Sequence, residues 1–286
     1  MKKIQMVIPL ILLTYGLFAQ LPNTDVWLLD IQTTKDTLFF SNPTNITNRA
    51  GYDNQPAFSP DGKYILYTSI RDEKQSDIYK YDIKTKTVTQ FTNTSTSEYS
   101  PTFMPDGKNI SVVMVETDSA QRLWKFPIKG GAPELIMKGI DSIGYHCWLD
   151  ETHVALFLIT NPFQLVFTDI KTERKTVIVH DTIARGMALQ KNNFFYVYKD
   201  IIYSVTLKNK NGSTPKWNKE LKGEDFCFLN PNTPIMADGG KIYKYFNWRG
   251  NSWLPIVDLS KYEINHITRM AVSPDGKHIA IVSEVK

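Results

Sequence analysis

Short apolar runs rich in β-branched and aromatic residues recur along the chain and are separated by polar turn residues. The clearest stretch is residues 55–92, where the runs cover residues 56–59, 64–69, 78–83 and 87–92. Runs of this length and composition, bounded by turn residues, predict β-strands, and the short turns between them predict antiparallel pairing. The stretch therefore predicts a four-stranded meander, whose strands we call A to D.

The meander repeats. The turn after strand A, Ser-Pro-Asp-Gly at residues 59–62, returns as Pro-Asp-Gly at 105–107 and as Ser-Pro-Asp-Gly at 273–276. Proline presets the backbone for the turn, and glycine tolerates the positive φ that follows. A large apolar residue recurs in strand A every 39 to 45 residues, at Phe58, Phe103, Trp148, Leu189, Phe228 and Val272. A four-stranded unit with this period is typical of a propeller blade.

The two ends of the chain carry complementary halves of one unit. Residues 25–31 match strand C and residues 37–47 supply a strand D, whereas residues 270–277 begin an A–B hairpin. Joining them removes the open edge strands of a linear array. We therefore predict an all-β chain, a six-bladed β-propeller with four antiparallel strands per blade, over residues 20–286.

The pattern FSPDGK…DIYKYD, at residues 58–63 and 77–82, resembles the WD40-like (PD40) repeat of TolB-type propellers. The resemblance covers residues 25–286, and its motif is strong in three of the six units. It implies the propeller module only: we expect neither the α/β domain that precedes the TolB propeller nor the serine-hydrolase domain that follows such propellers in peptidase relatives.

The N-terminus has the pattern of a secretory signal peptide. Lys2 and Lys3 precede the apolar residues 6–18, and Ala19-Gln20 follow. Thirteen residues are short of the roughly 20 that span a bilayer. We expect cleavage after Ala19, no lipid anchor, and a periplasmic or secreted product that does not span the membrane; an uncleaved N-terminal anchor is the alternative.

The net charge of the chain argues against a nucleic-acid-binding function. Removal of residues 1–19 takes away Lys2 and Lys3 and lowers the formal net charge from +4 to +2. This balance, without a basic cluster, argues against nucleic acid as a partner.

Cys147 and Cys227 fall in the same strand-A column, two units apart. A disulfide needs Cα atoms within about 7 Å, and residues two units apart are too distant for that. We therefore predict two unpaired thiols.

No nucleophile elbow, phosphate-binding loop or His-Glu-x-x-His motif is present, and the five histidines show no metal-ligand spacing. We therefore assign no catalytic residue, metal or cofactor. In a propeller, the loops leading into strand A and the B–C loops share one end of the channel, where rigid scaffolds commonly bind ligands. The predicted binding residues at this end are Asn54, Arg71, Glu98, Tyr99, Glu116, Tyr145, His146, Arg185, Asp225 and Arg269.

Two hypotheses of function follow. The first is an exported non-catalytic scaffold that binds a protein or a cell-envelope component through this face, with the long loops at residues 71–76 and 116–121 as contacts. The second is a propeller enzyme, a hydrolase or lyase acting on a carbohydrate or lactone, with acids and His146 at the channel mouth.

Four Asp-Ser/Thr-apolar tripeptides resemble a short O-glycosylation signal of some Gram-negative envelope proteins; their hydroxyl residues are Thr37, Ser119, Ser142 and Thr182.

Overall fold

The computed structural model describes residues 21–34, 38–71, 75–181, 183–208, 212–223, 225–247 and 250–285. Within these ranges the chain forms 24 β-strands and one turn of 3-10 helix, Ser260–Tyr262, so the predicted all-β class is confirmed. No helix among the described residues is long and apolar enough to cross a bilayer. The predicted signal peptide and two of the proposed modification sites, Thr37 and Thr182, lie outside the described residues.

The strands form six consecutive groups of four, each antiparallel. Group 1 contains β23 (Ile267–Val272), β24 (His278–Glu284), β1 (Thr24–Thr33) and β2 (Leu38–Asn45). Group 2 contains β3 (Tyr52–Phe58), β4 (Tyr64–Arg71), β5 (Gln75–Asp82) and β6 (Thr87–Gln90). Group 3 contains β7 (Ser97–Phe103), β8 (Asn109–Val115), β9 (Gln121–Pro127) and β10 (Glu134–Leu135).

Group 4 contains β11 (Ile143–Trp148), β12 (His153–Leu158), β13 (Gln164–Asp169) and β14 (Lys175–His180). Group 5 contains β15 (Ile183–Gln190), β16 (Asn193–Tyr198), β17 (Ile201–Thr206) and β18 (Thr214–Asn218). Group 6 contains β19 (Phe226–Asn230), β20 (Thr233–Asp238), β21 (Lys241–Phe246) and β22 (Ser252–Asp258). Among the described residues these groups make five hydrogen-bonded sheets, because the parallel pair Thr24–Tyr52 joins groups 1 and 2.

Group 1 brings together strands from the two ends of the sequence. β1 pairs antiparallel with β2 on one side and with β24 on the other, and Val26 lies opposite Val282. Both faces of β1 are buried: Val26 and Leu28 pack in the cluster shared with group 2, and Leu29 and Ile31 pack in the cluster shared with group 6. A slip of one residue would exchange the side chains between these two faces, so the hydrophobic pattern fixes the pairing.

The core lies between neighbouring groups. In β4, β8 and β12 most residues are buried, as expected for strands covered on both faces. Six apolar clusters of described residues each join two neighbouring groups. One of them packs Ile235 of group 6 against Ile281 of group 1. Cys147 and Cys227 pack at the margins of two clusters and are unpaired, which confirms that prediction.

One strand of each group faces a common central cavity. We call these the inner strands: β3, β7, β11, β15, β19 and β23. In all six the pairing register shifts within the strand. The shifts lie between Asn54 and Ala57, Tyr99 and Thr102, Ile143 and Tyr145, Ile183 and Met187, Phe228 and Asn230, and Ile267 and Arg269. A register shift of this kind is a β-bulge, which bends the strand and re-aims a side chain.

Candidate binding site at the channel mouth

The central cavity encloses about 220 Å³ and is lined by all six inner strands together with Asp225, which precedes β19. A second cavity, of about 380 Å³, lies at the end where the chain enters these strands. The two cavities share Tyr145, Arg185 and Arg269. We call the shared region, together with Tyr52 and Asp225, the channel mouth.

Asp225 lies between two arginines of the mouth. Its Oδ1 is 3.4 Å from Arg185 Nε, and its Oδ2 is 3.3 Å from Arg269 Nη1. Arg185 Nη2 also donates to the backbone oxygen of Thr268 at 3.1 Å. The Arg269 guanidinium carbon lies 4.9 Å from the centre of the Tyr145 ring, a cation–π distance. Side chains from four inner-strand regions are thereby held in one cluster.

Burial and neighbouring charges shift the pKa of two residues at the mouth, Arg269 and Tyr52. The side chains of Asp225 and Arg269 are each 14% exposed. Burial opposes the charged form of Arg269, but the attraction of Asp225 and the neighbouring tyrosines raises its pKa above the usual value, so the guanidinium stays charged. Burial also raises the pKa of Tyr52 to about 12, against the opposing field of Arg269. Tyr52 therefore remains a neutral phenol that can donate a hydrogen bond.

The bulges explain why these side chains converge. Arg185 lies in the segment of β15 that is skipped between the paired residues Ile183 and Met187. Arg269 and Tyr145 each follow one skipped residue, Thr268 and Gly144. A regular strand alternates its side chains between two faces, and an extra residue breaks that alternation. The mouth is thus built by a recurrent irregularity of the inner strands.

His146 lines the wall of the central cavity below the mouth. Its Nε2 lies 2.7 Å from Ser111 Oγ, which also accepts a hydrogen bond from Trp148 Nε1 at 2.8 Å. Burial lowers the pKa of His146 to about 3. The imidazole is therefore neutral at physiological pH and acts as a polar element of the wall.

Six of the ten residues predicted from the sequence line the two cavities: Asn54, Tyr145, His146, Arg185, Asp225 and Arg269. Asn54 is buried, and its Oδ1 accepts a hydrogen bond from the backbone N–H of Gln55 at 2.8 Å. Tyr99 is not among the lining residues, but it lies close enough to Tyr52 to contribute to its raised pKa.

The other three predicted residues do not line either cavity. Arg71 stacks on the ring of Tyr79, with its guanidinium carbon 3.8 Å from the ring centre. Glu116 accepts hydrogen bonds from Arg122 Nη1 at 2.5 Å and from Trp124 Nε1 at 2.8 Å. Both side chains therefore serve the packing of their own groups.

Glu98 is fully buried away from the mouth. Its carboxyl group accepts hydrogen bonds from the hydroxyls of Thr92 and Thr94. Burial raises its pKa to about 7, and the nearby charge of Asp77 acts in the same direction. The group is an internal acid rather than part of an open face.

Two further residues belong to the site but were not among the predictions. Tyr52 lines the second cavity beside Asn54, and Lys222 lines it from the segment after β18. No motif marks either residue. Pro56 and Pro101 mark only the bulges of β3 and β7, since proline within a strand indicates a bulge or an edge.

Comparison with solved structures shows that the chain has the TolB-like β-propeller fold. It is similar to a protein assigned as TolB from Agrobacterium tumefaciens, with 14% identity and a TM-score of 0.65 over 93% of this chain and 99% of that one. TolB from Acinetobacter baumannii gives 14% identity and a TM-score of 0.58, covering 92% of this chain and 64% of that one.

The fold is also similar to an oligogalacturonate lyase in complex with manganese, with 10% identity and a TM-score of 0.57 over 87% of this chain and 83% of the lyase. No protein-family model and no curated protein matches the chain. At these identities the likeness defines the fold, while activity depends on the site that the fold carries.

Proposed function

We propose that this chain is an exported, non-catalytic β-propeller that binds a protein or another component of the cell envelope at its channel mouth. In this proposal residues 1–19 are a signal peptide, and residues 20–286 form one propeller in the periplasm or outside the cell. The TolB-like fold is compatible with that location.

We further propose six blades, corresponding to groups 1 to 6, with group 1 assembled from both ends of the sequence. Two observations support this count. Each group contributes one inner strand to the central cavity, and each neighbouring pair of groups, including groups 6 and 1, shares an apolar cluster. Stacked blades bury their cores between neighbours in this way.

The observation that carries the binding proposal is the Arg185–Asp225–Arg269 cluster at the mouth. Two arginines and an aspartate with at most 23% side-chain exposure lose hydration that their mutual contacts only partly replace. Charged groups gathered in a concave site, rather than spread over a surface, are typical of a ligand site.

The alternative is a propeller enzyme, a hydrolase or lyase acting on a carbohydrate or lactone, and the likeness to an oligogalacturonate lyase keeps it in view. Acid–base catalysis works best with a group whose pKa is near the working pH. His146 is held neutral. Glu98, with a pKa of about 7, meets that condition, but its side chain is fully buried and lines neither cavity. The geometry therefore favours binding over catalysis.

A photocrosslinking amino acid placed at Tyr52 tests the binding proposal in living cells. Lys63 provides the matched control, because it is exposed and follows the turn at the opposite end of β3. We expect one dominant adduct from position 52 that is lost when Arg185→Glu is added. Equal adducts from both positions, or none from position 52, would contradict the proposal.

Turnover assays test the alternative. Hydrolysis of a lactone or cleavage of an oligogalacturonate by the purified protein, lost in both Glu98→Ala and His146→Ala, would replace the binding proposal with the enzymatic one.

A further inference from the structure

The channel mouth carries an excess of positive charge. Among the described side chains that line the two cavities, Arg185, Arg269 and Lys222 are cationic, and Asp225 and Glu284 are acidic. His266 lines the second cavity as well, with its Nδ1 2.7 Å from Glu284 Oε2. A concave site with an unbalanced positive charge concentrates anions, because its low-dielectric walls focus the field.

The two arginines are arranged around a single carboxylate. Both nitrogen–oxygen distances to Asp225, 3.3 and 3.4 Å, exceed the roughly 2.7–2.9 Å of a tight charge-assisted hydrogen bond. One loosely held carboxylate between two guanidinium groups orients both of them toward the same region. Arginine is suited to a second carboxylate there, because its planar fork matches the two oxygens of that group.

The rest of the lining is rich in neutral hydrogen-bonding groups. The second cavity adds the Tyr52 phenol and the Asn54 amide, and the central cavity adds the hydroxyls of Ser100 and Thr102. Gln55 also lines the central cavity, with its side-chain oxygen already accepting hydrogen bonds from Ser100 and Thr68. Such groups pair with ligand hydroxyls, which a site of this kind distinguishes sharply from analogues lacking them. The polar lining fits a hydroxylated ligand better than an apolar peptide side chain.

We infer that the channel mouth binds a hydroxylated carboxylic acid of the sugar-acid class, with its carboxylate held by Arg185 and Arg269 and its hydroxyl groups facing the polar lining. The inference rests on the proposed binding role of the mouth and names the chemistry of the ligand. Asp225 orients the two arginines through its oxygens, and its negative charge competes with the ligand carboxylate for them; an asparagine keeps an acceptor oxygen but loses that charge.

Calorimetric titration of the purified chain with sodium glucuronate tests the inference, and glucose is the matched neutral probe. We expect glucuronate to bind at least tenfold more tightly than glucose, the ratio that about 1.4 kcal/mol of charge-assisted bonding produces. Equal binding of the two sugars, or no binding of glucuronate, would overturn the inference without any variant being needed.

Variants locate the carboxylate. Arg185→Gln should weaken glucuronate at least tenfold, and Arg185→Lys should recover only part of that loss, because the ammonium cannot make the paired contact. Asp225→Asn removes a competing negative charge and should tighten glucuronate about fivefold. The exposed turn variant Asp275→Asn should leave affinity unchanged. Unchanged affinity in Arg185→Gln, or unchanged or weaker affinity in Asp225→Asn, would overturn the assignment.

Two further probes separate sugar acids from other anions. N-acetylglycylglycine presents a carboxylate without sugar hydroxyls, and inorganic phosphate presents a tetrahedral anion. If either competes with glucuronate at equal affinity, the sugar-acid assignment is wrong. These titrations use small probes only, so their failure leaves the crosslinking test of an envelope partner intact, and a failure of crosslinking leaves the titrations intact.

Discussion

The side-chain oxygen of Gln55 in β3 accepts a hydrogen bond from the backbone N–H of Ser100 in β7 at 2.7 Å. The same oxygen accepts a second bond from Thr68 Oγ1, also at 2.7 Å. Gln55 and Ser100 both have positive φ, 57° and 54°, at the bulges of their strands. One glutamine thus couples two neighbouring inner strands at the point where each departs from regular geometry.

Replacing Gln55 with Ala removes the acceptor shared by these two donors. We expect the free energy of unfolding to fall by about 1–3 kcal/mol, because the partly buried Ser100 N–H and Thr68 hydroxyl lose this partner. Urea denaturation measures the change. The same substitution at exposed Gln32 of β1 should alter stability by less than about 0.5 kcal/mol, and an equal loss at both positions would contradict the coupling role.

Glu98 should make stability depend on pH. Its folded-state pKa, about 7, lies above the ordinary value of 4.5, so the folded chain holds this proton more tightly than the unfolded chain does. The contribution of Glu98 to the free energy of unfolding is therefore fully present below pH 4.5. It is lost as pH rises toward 7, and the loss is on the order of 2–3 kcal/mol. Asp77, which faces Glu98, shifts in the same direction through burial.

Glu98→Gln isolates this effect. Relative to the natural chain, the variant should gain about 2–3 kcal/mol in unfolding free energy between pH 4.5 and pH 8, because the amide does not ionise. Denaturant midpoints at several pH values provide the measurement. The exposed Glu151→Gln should show no such gain, and a pH-independent difference for Glu98→Gln would refute the assignment.

The two cysteines should be unreactive in the folded protein. Burial raises the pKa of the Cys147 thiol to about 12 and that of Cys227 further still, and the thiolate is the reactive form. With Ellman's reagent at pH 8 we expect no rapid labelling until the chain is unfolded, and then two thiols. Reducing agent should leave the melting temperature unchanged; a shift would indicate a disulfide.

Gly223 lies where a larger residue does not fit. A Cβ atom there would overlap the backbone oxygen of Ala237 in β20. Because backbone cannot move aside like a side chain, Gly223→Ala should cost about 1–3 kcal/mol through overpacking. Gly250 is the comparison: its φ is 75° and a Cβ would meet open space. Gly250→Ala should therefore cost only the strain of a side chain in the left-handed backbone region, about 1 kcal/mol. Thermal denaturation of both variants compares the two, and an equal cost would argue against the steric explanation.

The sequence predicted the strands well because period and turn chemistry are local. Even inner strands whose turns have diverged, such as β15 and β19, fall where the spacing of Leu189 and Phe228 places them. The same spacing correctly separated the two cysteines. Apolar runs bounded by turn residues locate the strands, because strands covered on both faces are nearly continuously apolar.

The residues of the site were harder to predict from the sequence than the strands were, because the direction of a side chain depends on partners that are far away in the sequence. Arg71 ends β4 and Glu98 lies near the start of β7, both beside loops. The Arg71 guanidinium nevertheless stacks on Tyr79, and the Thr92 hydroxyl donates a hydrogen bond to the buried Glu98. Arg185 and Arg269 reach the mouth through bulges, whose exact position no periodic pattern specifies.

The pairing of β1 with β24 also has a mechanical consequence. The ladder begins with Thr24 opposite Glu284, and the next pair is Asp25 opposite Ser283. Residues 24 and 284 therefore lie at the same end of the ladder. A force that pulls them apart breaks the hydrogen bonds one residue pair at a time, instead of shearing all of them together. Tension on these two points should open group 1 like a zipper at low force, while the remaining groups stay folded behind it.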